Sequence, residues 1–116
     1  MKIGLKHALN GLKEALKSES NFRIQLVALA TIVITGLILD FKEHEWLAVF
    51  IISGLVLCLE VVNTTIEKTL DFINPEHNEN IKVIKDISAG AVLIASLTAI
   101  VIALIIITPK IQELCF

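Results

Sequence analysis

The sequence contains no tyrosine, a single tryptophan and only two cysteines, and it has no cluster of basic residues interleaved with aromatic ones. Together with a formal net charge of -2, these absences argue against a protein that binds nucleic acid. Cys58 and Cys115 lie in or beside apolar runs without the spacing of metal ligands, so we expect unpaired thiols in lipid. The amino-terminal segment is charged and amphipathic, unlike a basic stretch leading into an apolar core and a cleavage site, so no signal peptide is predicted.

Apolar side chains, by contrast, make up 55% of the 116 residues, and the mean hydropathy is +0.80. A chain this short and this apolar is better suited to a membrane than to water. Three apolar stretches are long enough to cross a membrane once their polar ends are included. The sequence therefore predicts an all-α membrane protein with a single domain over residues 1–116. Its predicted parts are a surface helix over 1–20 and transmembrane helices over 21–41, 46–73 and 81–109.

The segment before the first span has the pattern of a helix that lies on a membrane surface, with leucines along one face and lysines along another. The residues concerned are Leu5, Leu9, Leu12 and Leu16, and Lys2, Lys6, Lys13 and Lys17. A solvated helix that caps the bundle would show the same pattern, so that alternative stays open. Positive residues are concentrated in this segment and around the second link, which predicts that both are cytoplasmic and that the carboxyl terminus faces outward.

The third span has alanine at every fourth position, at Ala91, Ala95, Ala99 and Ala103. Such a ridge of small residues allows another helix to approach closely. Three short spans bury little surface against one another and leave polar groups that need shelter, so we expect a homo-oligomer.

A stripe of polar residues follows one face of the second span. At about 100° per residue, its members fall within roughly 80° of one another. They are Glu60, Asn63, Glu67 and Asp71. Ionisable groups at membrane depth are costly and usually functional, whereas a structural stripe would more often be paired with Arg or Lys at the same level.

The stripe predicts phosphoryl transfer at the cytoplasmic end of the span. Clustered carboxylates without cysteine or histidine on the same face favour a hard cation such as Mg²⁺, held together with substrate phosphates. Lys85, followed by Asp86, offers a positive group for the phosphates, although alone such a pair is more often a solvated helix start. Glu19 lies at the same membrane level and is otherwise an ordinary exposed charge. His7, His44 and His77 are scattered singly and do not have the pattern of a metal site.

These residues resemble the small prokaryotic diacylglycerol kinase and undecaprenol kinase family. The family's hallmark, Glu-x-x-Asn-(small)-x-Ile-Glu-x-x-x-Asp, matches the segment from Glu60 to Asp71. Lys85 and Asp86 follow at the family's distance, with the small residues Ser88 to Ala91 after them, and the segment from Glu19 to Arg23 precedes the hallmark. The resemblance covers essentially the whole chain.

The resemblance implies an ATP- and Mg²⁺-dependent lipid kinase of the bacterial cytoplasmic membrane, assembled as a homotrimer with active sites between subunits. By matching position, Glu19 and Glu67 would hold the metal, and Glu60 would act as base or orient the lipid hydroxyl. The positions that match nucleotide-binding or supporting residues are Lys85, Asp86, Asn63, Asp71, Glu76 and Asn78. His7 stands where relatives usually have a tyrosine beside the nucleotide.

Two departures from the family bear on function. An arginine upstream of the surface helix often reaches the phosphates in the family; here either Lys2 or Lys6 takes its place or the contact is dispensed with. The run from Phe22 to Ile24 resembles the undecaprenol kinase branch, whereas relatives specialised for diacylglycerol have a polar residue at the position of Ile24. This difference favours a polyprenol as the lipid that accepts the phosphoryl group.

Two readings from other classes remain as alternatives at this point. A small proton-coupled multidrug exporter would have four spans, one central glutamate and an aromatic cage, which three spans, no tyrosine and one tryptophan do not provide. A holin-like or purely structural membrane peptide would give no reason to collect Glu60, Asn63, Glu67 and Asp71 on one face.

Overall fold

The computed structural model describes residues 2–76 and 78–116, without the side chains of Lys2 and Ile3; His77 lies outside the described residues. This part of the chain forms four α-helices and no strand, which confirms the all-α fold class. The helices are α1 (Lys2–Ser18), α2 (Ser20–Leu39), α3 (Glu43–Ile73) and α4 (Glu79–Cys115). Of these, α2, α3 and α4 are long and apolar enough to cross a membrane.

Helix α1 is amphipathic and is separated from α2 by one residue, Glu19, whose backbone is extended (φ -118°, ψ 111°). The predicted leucine face of α1 is exposed within one chain, whereas Ala15 is buried. An exposed leucine face at the amino terminus is what a membrane-surface helix requires, because lipid rather than protein would cover it.

Helices α2 and α3 are joined by a tight turn. Asp40 ends α2 in the left-handed region (φ 58°, ψ 62°), with its N–H bonded to the Gly36 carbonyl. The Glu45 carboxylate then caps the start of α3 by accepting from the Lys42 N–H at 2.8 Å. The two helices are therefore antiparallel neighbours.

The link between α3 and α4 is also short and is organised by two asparagines. Asn74 accepts from the Glu76 N–H through its side chain at 3.1 Å, and the Asn78 side chain caps α4 by accepting from the Asn80 N–H at 2.9 Å. Helix α4 packs along α3 and continues through Pro109 to Cys115, beyond the residue at which the predicted span ends.

Packing is tightest at the end of the bundle opposite the α3–α4 link. Phe41, Val49 and Ile106 form a buried cluster with Trp46 packed against it. Lys110 Nζ lies 2.8 Å from Glu45 Oε1 with both side chains largely shielded, so the end of α4 is tied to the start of α3. This end fixes how the two long helices lie against each other.

Candidate active site

The polar stripe of α3 faces the protein rather than its surroundings along its inner half. Glu60 and Asn63 are buried, with 5% and 8% of their surface exposed, and Glu67 is half-buried. Asn63 Nδ2 donates to Glu67 Oε1 at 3.2 Å, one helical turn away. Within the described residues Asn63 Oδ1 is buried with no hydrogen-bond partner. A buried amide oxygen without a partner is uncommon in native proteins.

Glu19 joins this group from another part of the chain. It stands at the α1–α2 junction, and it and Glu67 are close enough to Glu60 for their charges to act on it. The described chain holds none of the three carboxylates in an ion pair with Lys or Arg. The three carboxylates make this region electronegative, but among the described residues no three His, Cys, Asp or Glu side chains come close enough together to hold a metal ion.

A separate polar cavity of about 310 Å³ lies where α3 passes into α4. Four of the residues predicted to bind nucleotide line it: Asp71, Glu76, Asn78 and Lys85. The short α3–α4 link brings them together, because Asp71 lies in the last turn of α3 and Lys85 in the second turn of α4.

Two ion pairs arrange the charges at this cavity. Lys85 Nζ donates to Asp71 Oδ1, and Lys82 Nζ donates to Asp86 Oδ2 at 2.9 Å. Lys85 is partly shielded and the other members are exposed. Exposed pairs of this kind contribute little to stability and exchange readily for another anion.

Not all predicted site residues meet at the cavity. Asn63 lies on α3 about two turns before Asp71, and Asp86 faces Lys82 outside the cavity wall. His7 is exposed on α1, with no hydrogen bond or ion pair to the described residues. The structure thus separates the group of Glu19, Glu60 and Glu67 from the polar cavity, and Asp71 is the member of the stripe that reaches the cavity.

Four cavity residues were not predicted, and two of them, Asn74 and Lys82, have polar side chains. Lys82 precedes Lys85 by three positions and therefore shares its helix face, a signal that was available in the sequence. Asn74 owes its position to the turn that ends α3, which the sequence pattern alone does not define.

The chain is similar to known proteins over most of its length. The family model described as prokaryotic diacylglycerol kinase matches residues 6–107, which is most of the chain. This chain belongs to the prokaryotic diacylglycerol kinase family. The match supports a lipid kinase, which is an enzyme, and argues against the exporter and the structural peptide.

Individual members of the diacylglycerol kinase family show the same relationship. The chain is 35% identical to the undecaprenol kinase of Bacillus subtilis over 104 residues, covering 90% of this chain and 85% of the relative. It is 30% identical to the diacylglycerol kinase of Escherichia coli strain K12 over 95 residues, covering 82% and 78%. It is 37% identical to the diacylglycerol kinase of Helicobacter pylori over 90 residues, covering 76% and 69%. Kinases named for two different lipids are thus similar to this chain to about the same degree.

Proposed function

We propose that this lipid kinase transfers the γ-phosphoryl group of ATP to the hydroxyl of a membrane lipid, undecaprenol or diacylglycerol, at the cytoplasmic membrane face. The observation that carries the proposal is the continuity of α3 from the polar cavity at Asp71 to the buried carboxylate of Glu60. A water-soluble donor in the cavity and a lipid acceptor at Glu60 would meet along one helix face.

In this proposal Glu60 accepts the proton of the lipid hydroxyl. The hydroxyl oxygen forms a bond to the γ-phosphorus while the bond to the β–γ bridging oxygen breaks, and ADP leaves with that oxygen. A base must lie within hydrogen-bond reach of the hydroxyl, and a buried carboxylate without a Lys or Arg partner is free to take the proton. Family position supports this role, because Glu60 is the first residue of the hallmark.

Glu19 and Glu67 would hold Mg²⁺ in the same proposal. One chain supplies no group of three or more His, Cys, Asp or Glu ligands among its described residues. The two carboxylates of Glu19 and Glu67 nevertheless fit Mg²⁺, which takes one or two carboxylates and completes its shell with waters and substrate phosphates. The free Oδ1 of Asn63 beside Glu67 adds a further hard oxygen. When bound, the metal would neutralise phosphate charge during transfer.

The nucleotide would occupy the cavity and displace the ion pairs that line it. Lys85 would turn from Asp71 to the phosphates, with Asp86 beside it and Glu76 and Asn78 on the side of the link. Asn63 and Asp71 would support the site, and His7 is assigned to the nucleotide by family position. Lys6 on α1, or Lys2, would take the place of the family's upstream arginine.

Undecaprenol is the acceptor we favour. The chain carries Ile24 where relatives specialised for diacylglycerol have a polar residue, and Ile24 is 61% exposed in one chain, at the start of α2 where a lipid would pass. The proposed setting is the bacterial cytoplasmic membrane, with a cytoplasmic amino terminus and a homotrimer that completes each site between subunits.

The test is transfer of labelled γ-phosphate from ATP, with Mg²⁺, to undecaprenol, diacylglycerol and ceramide in mixed micelles. Phosphorylation of undecaprenol above the others, abolished by Glu67→Gln in a protein that still folds, is the expected result. Glu60→Gln should lower turnover with nucleotide binding largely kept. Failure of a folded protein to phosphorylate any of the three lipids would contradict the proposal.

A further inference from the structure

The junction between α1 and α2 is held by an arginine that the proposed mechanism does not use. Arg23, in the first turn of α2, extends one guanidinium nitrogen back to the end of α1. Its Nη1 donates to the Leu16 carbonyl at 2.8 Å and to the Lys17 carbonyl at 3.0 Å. One side chain thus bonds two main-chain groups of the preceding helix.

These carbonyls need an outside donor. The last four carbonyls of a helix have no partner within it and carry partial negative charge. In α1 the Ala15 carbonyl accepts from the Glu19 N–H at 3.0 Å, which leaves the next two to Arg23. One guanidinium nitrogen can satisfy both carbonyls because it carries two N–H bonds.

The residue enclosed by this clamp is Glu19. It is the one non-helical residue between α1 and α2, with the Ala15 bond on one side and Arg23 on the other. Glu19 itself has no side-chain hydrogen bond among the described residues, so no side-chain contact of that kind would compensate for a shift of its backbone. A main-chain change at this junction would therefore move the carboxylate directly.

We propose that Arg23 is a positioning residue of the kinase, which fixes the α1–α2 junction so that the Glu19 carboxylate is held toward Glu60 and Glu67. This inference rests on the proposed metal-binding role of Glu19. Arg23 touches no reacting atom; it acts on catalysis through the angle of the junction. Lysine is a weaker substitute, because its flexible stem loses more entropy in holding the two carbonyls than the pre-organised guanidinium does.

The test compares Arg23→Gln, Arg23→Lys and Glu19→Gln with Lys13→Gln, which removes an exposed positive charge from α1, the helix whose end Arg23 contacts. Two quantities are measured: the Mg²⁺ concentration for half-maximal lipid phosphorylation, and bound Mn²⁺ by electron paramagnetic resonance with a non-hydrolysable ATP analogue. Loss of hydrogen bonds from a charged donor should raise the half-maximal Mg²⁺ about tenfold in Arg23→Gln. Arg23→Lys should be intermediate, Lys13→Gln unchanged, and the KM for lipid the same in all.

The amount of bound Mn²⁺ should fall in the variants in which the Mg²⁺ requirement rises. In Arg23→Gln the backbone amide hydrogens of residues 15–19 should also exchange faster. An unchanged metal requirement in Arg23→Gln, or an equal fall of turnover at every Mg²⁺ concentration, would overturn the inference. If Arg23→Gln does not fold, Arg23→Lys decides by the same criterion. If Glu19→Gln loses metal binding and the Arg23 variants keep it, the positioning role of Arg23 alone is rejected. If Glu19→Gln keeps metal binding, the metal role of Glu19 is rejected, and this inference with it.

Discussion

At the scale of single residues, Asn63 links folding to chemistry. Its Nδ2 donates to Glu67 Oε1 and holds that carboxylate along the helix axis. A carboxylate with a fixed rotamer loses less entropy when it binds a cation than one that moves freely. The same amide leaves Oδ1 buried and without a hydrogen-bond partner in the described residues.

We therefore predict that Asn63→Leu, which keeps the size of the side chain and removes its polar atoms, lowers kcat/KM on the order of 10- to 100-fold. Lipid phosphorylation at saturating ATP and a Mg²⁺ titration measure the effect. The matched control is Thr64→Val, because Thr64 is also buried and bonds only to the Glu60 carbonyl of its own helix. Equal losses in both variants would show that packing, rather than the hold on Glu67, is responsible.

At the scale of the helices, Gly36 sets how closely α2 approaches the start of α3. A Cβ at this position would overlap Trp46 Cη2 and lie 2.8 Å from Phe41 Cδ2. Phe41 is buried and Trp46 packs against its cluster, so neither ring can move without disturbing the other. The absence of a side chain at Gly36 is what lets the indole lie against α2.

Gly36→Ala should consequently destabilise the protein by about 1–3 kcal/mol, the usual cost of overpacking. Thermal or denaturant unfolding in detergent micelles, followed by circular dichroism, measures the change. Gly11→Ala is the control, because no atom lies within 4 Å of a Cβ built there and alanine favours the helix. Similar destabilisation by both changes would contradict the close-packing argument.

Sequence periodicity predicts the four helices because apolar runs and turn residues are local signals. The limits of the helices depend on contacts that are not local. Helix α3 begins at Glu43 because Glu45 caps it, and Glu45 is in turn held by Lys110 from the far end of α4. The stripe on α3 could be placed from the sequence because residues on one helix face keep a fixed spacing.

The partners of the site residues could not be predicted in the same way. The Lys85–Asp71 pair joins groups 14 positions apart, and its formation depends on the path of the α3–α4 link. Lys82 went unpredicted as a cavity residue because its sequence context resembles any solvated helix start.

At the scale of the whole molecule, one chain leaves most of its apolar surface uncovered. Only 11% of the most apolar window of α2, and the same share in α4, is buried within the chain. A groove of about 490 Å³ runs between α2, α3 and α4, with Ala99 and Ala103 of the alanine ridge on its wall. Lipid can cover exposed leucines, whereas small residues such as Ala99 and Ala103 on a groove wall allow another helix to approach closely.

Ala99 tests the expected homotrimer. A larger side chain there has different effects depending on whether a neighbouring subunit or lipid fills the groove. If a neighbouring subunit fills the groove, Ala99→Leu overpacks the contact and weakens the trimer, by about 1–3 kcal/mol per site. If the groove holds only lipid, the added carbons fill space and leave the oligomer unchanged.

Native mass spectrometry across a detergent series, with lipid phosphorylation measured in parallel, should show the trimer of Ala99→Leu dissociating first. Val101→Leu, two residues along and about 200° around α4, is the control for a change of size outside the groove. A more heat-stable Ala99→Leu protein of unchanged oligomeric state would mean that no subunit occupies the groove.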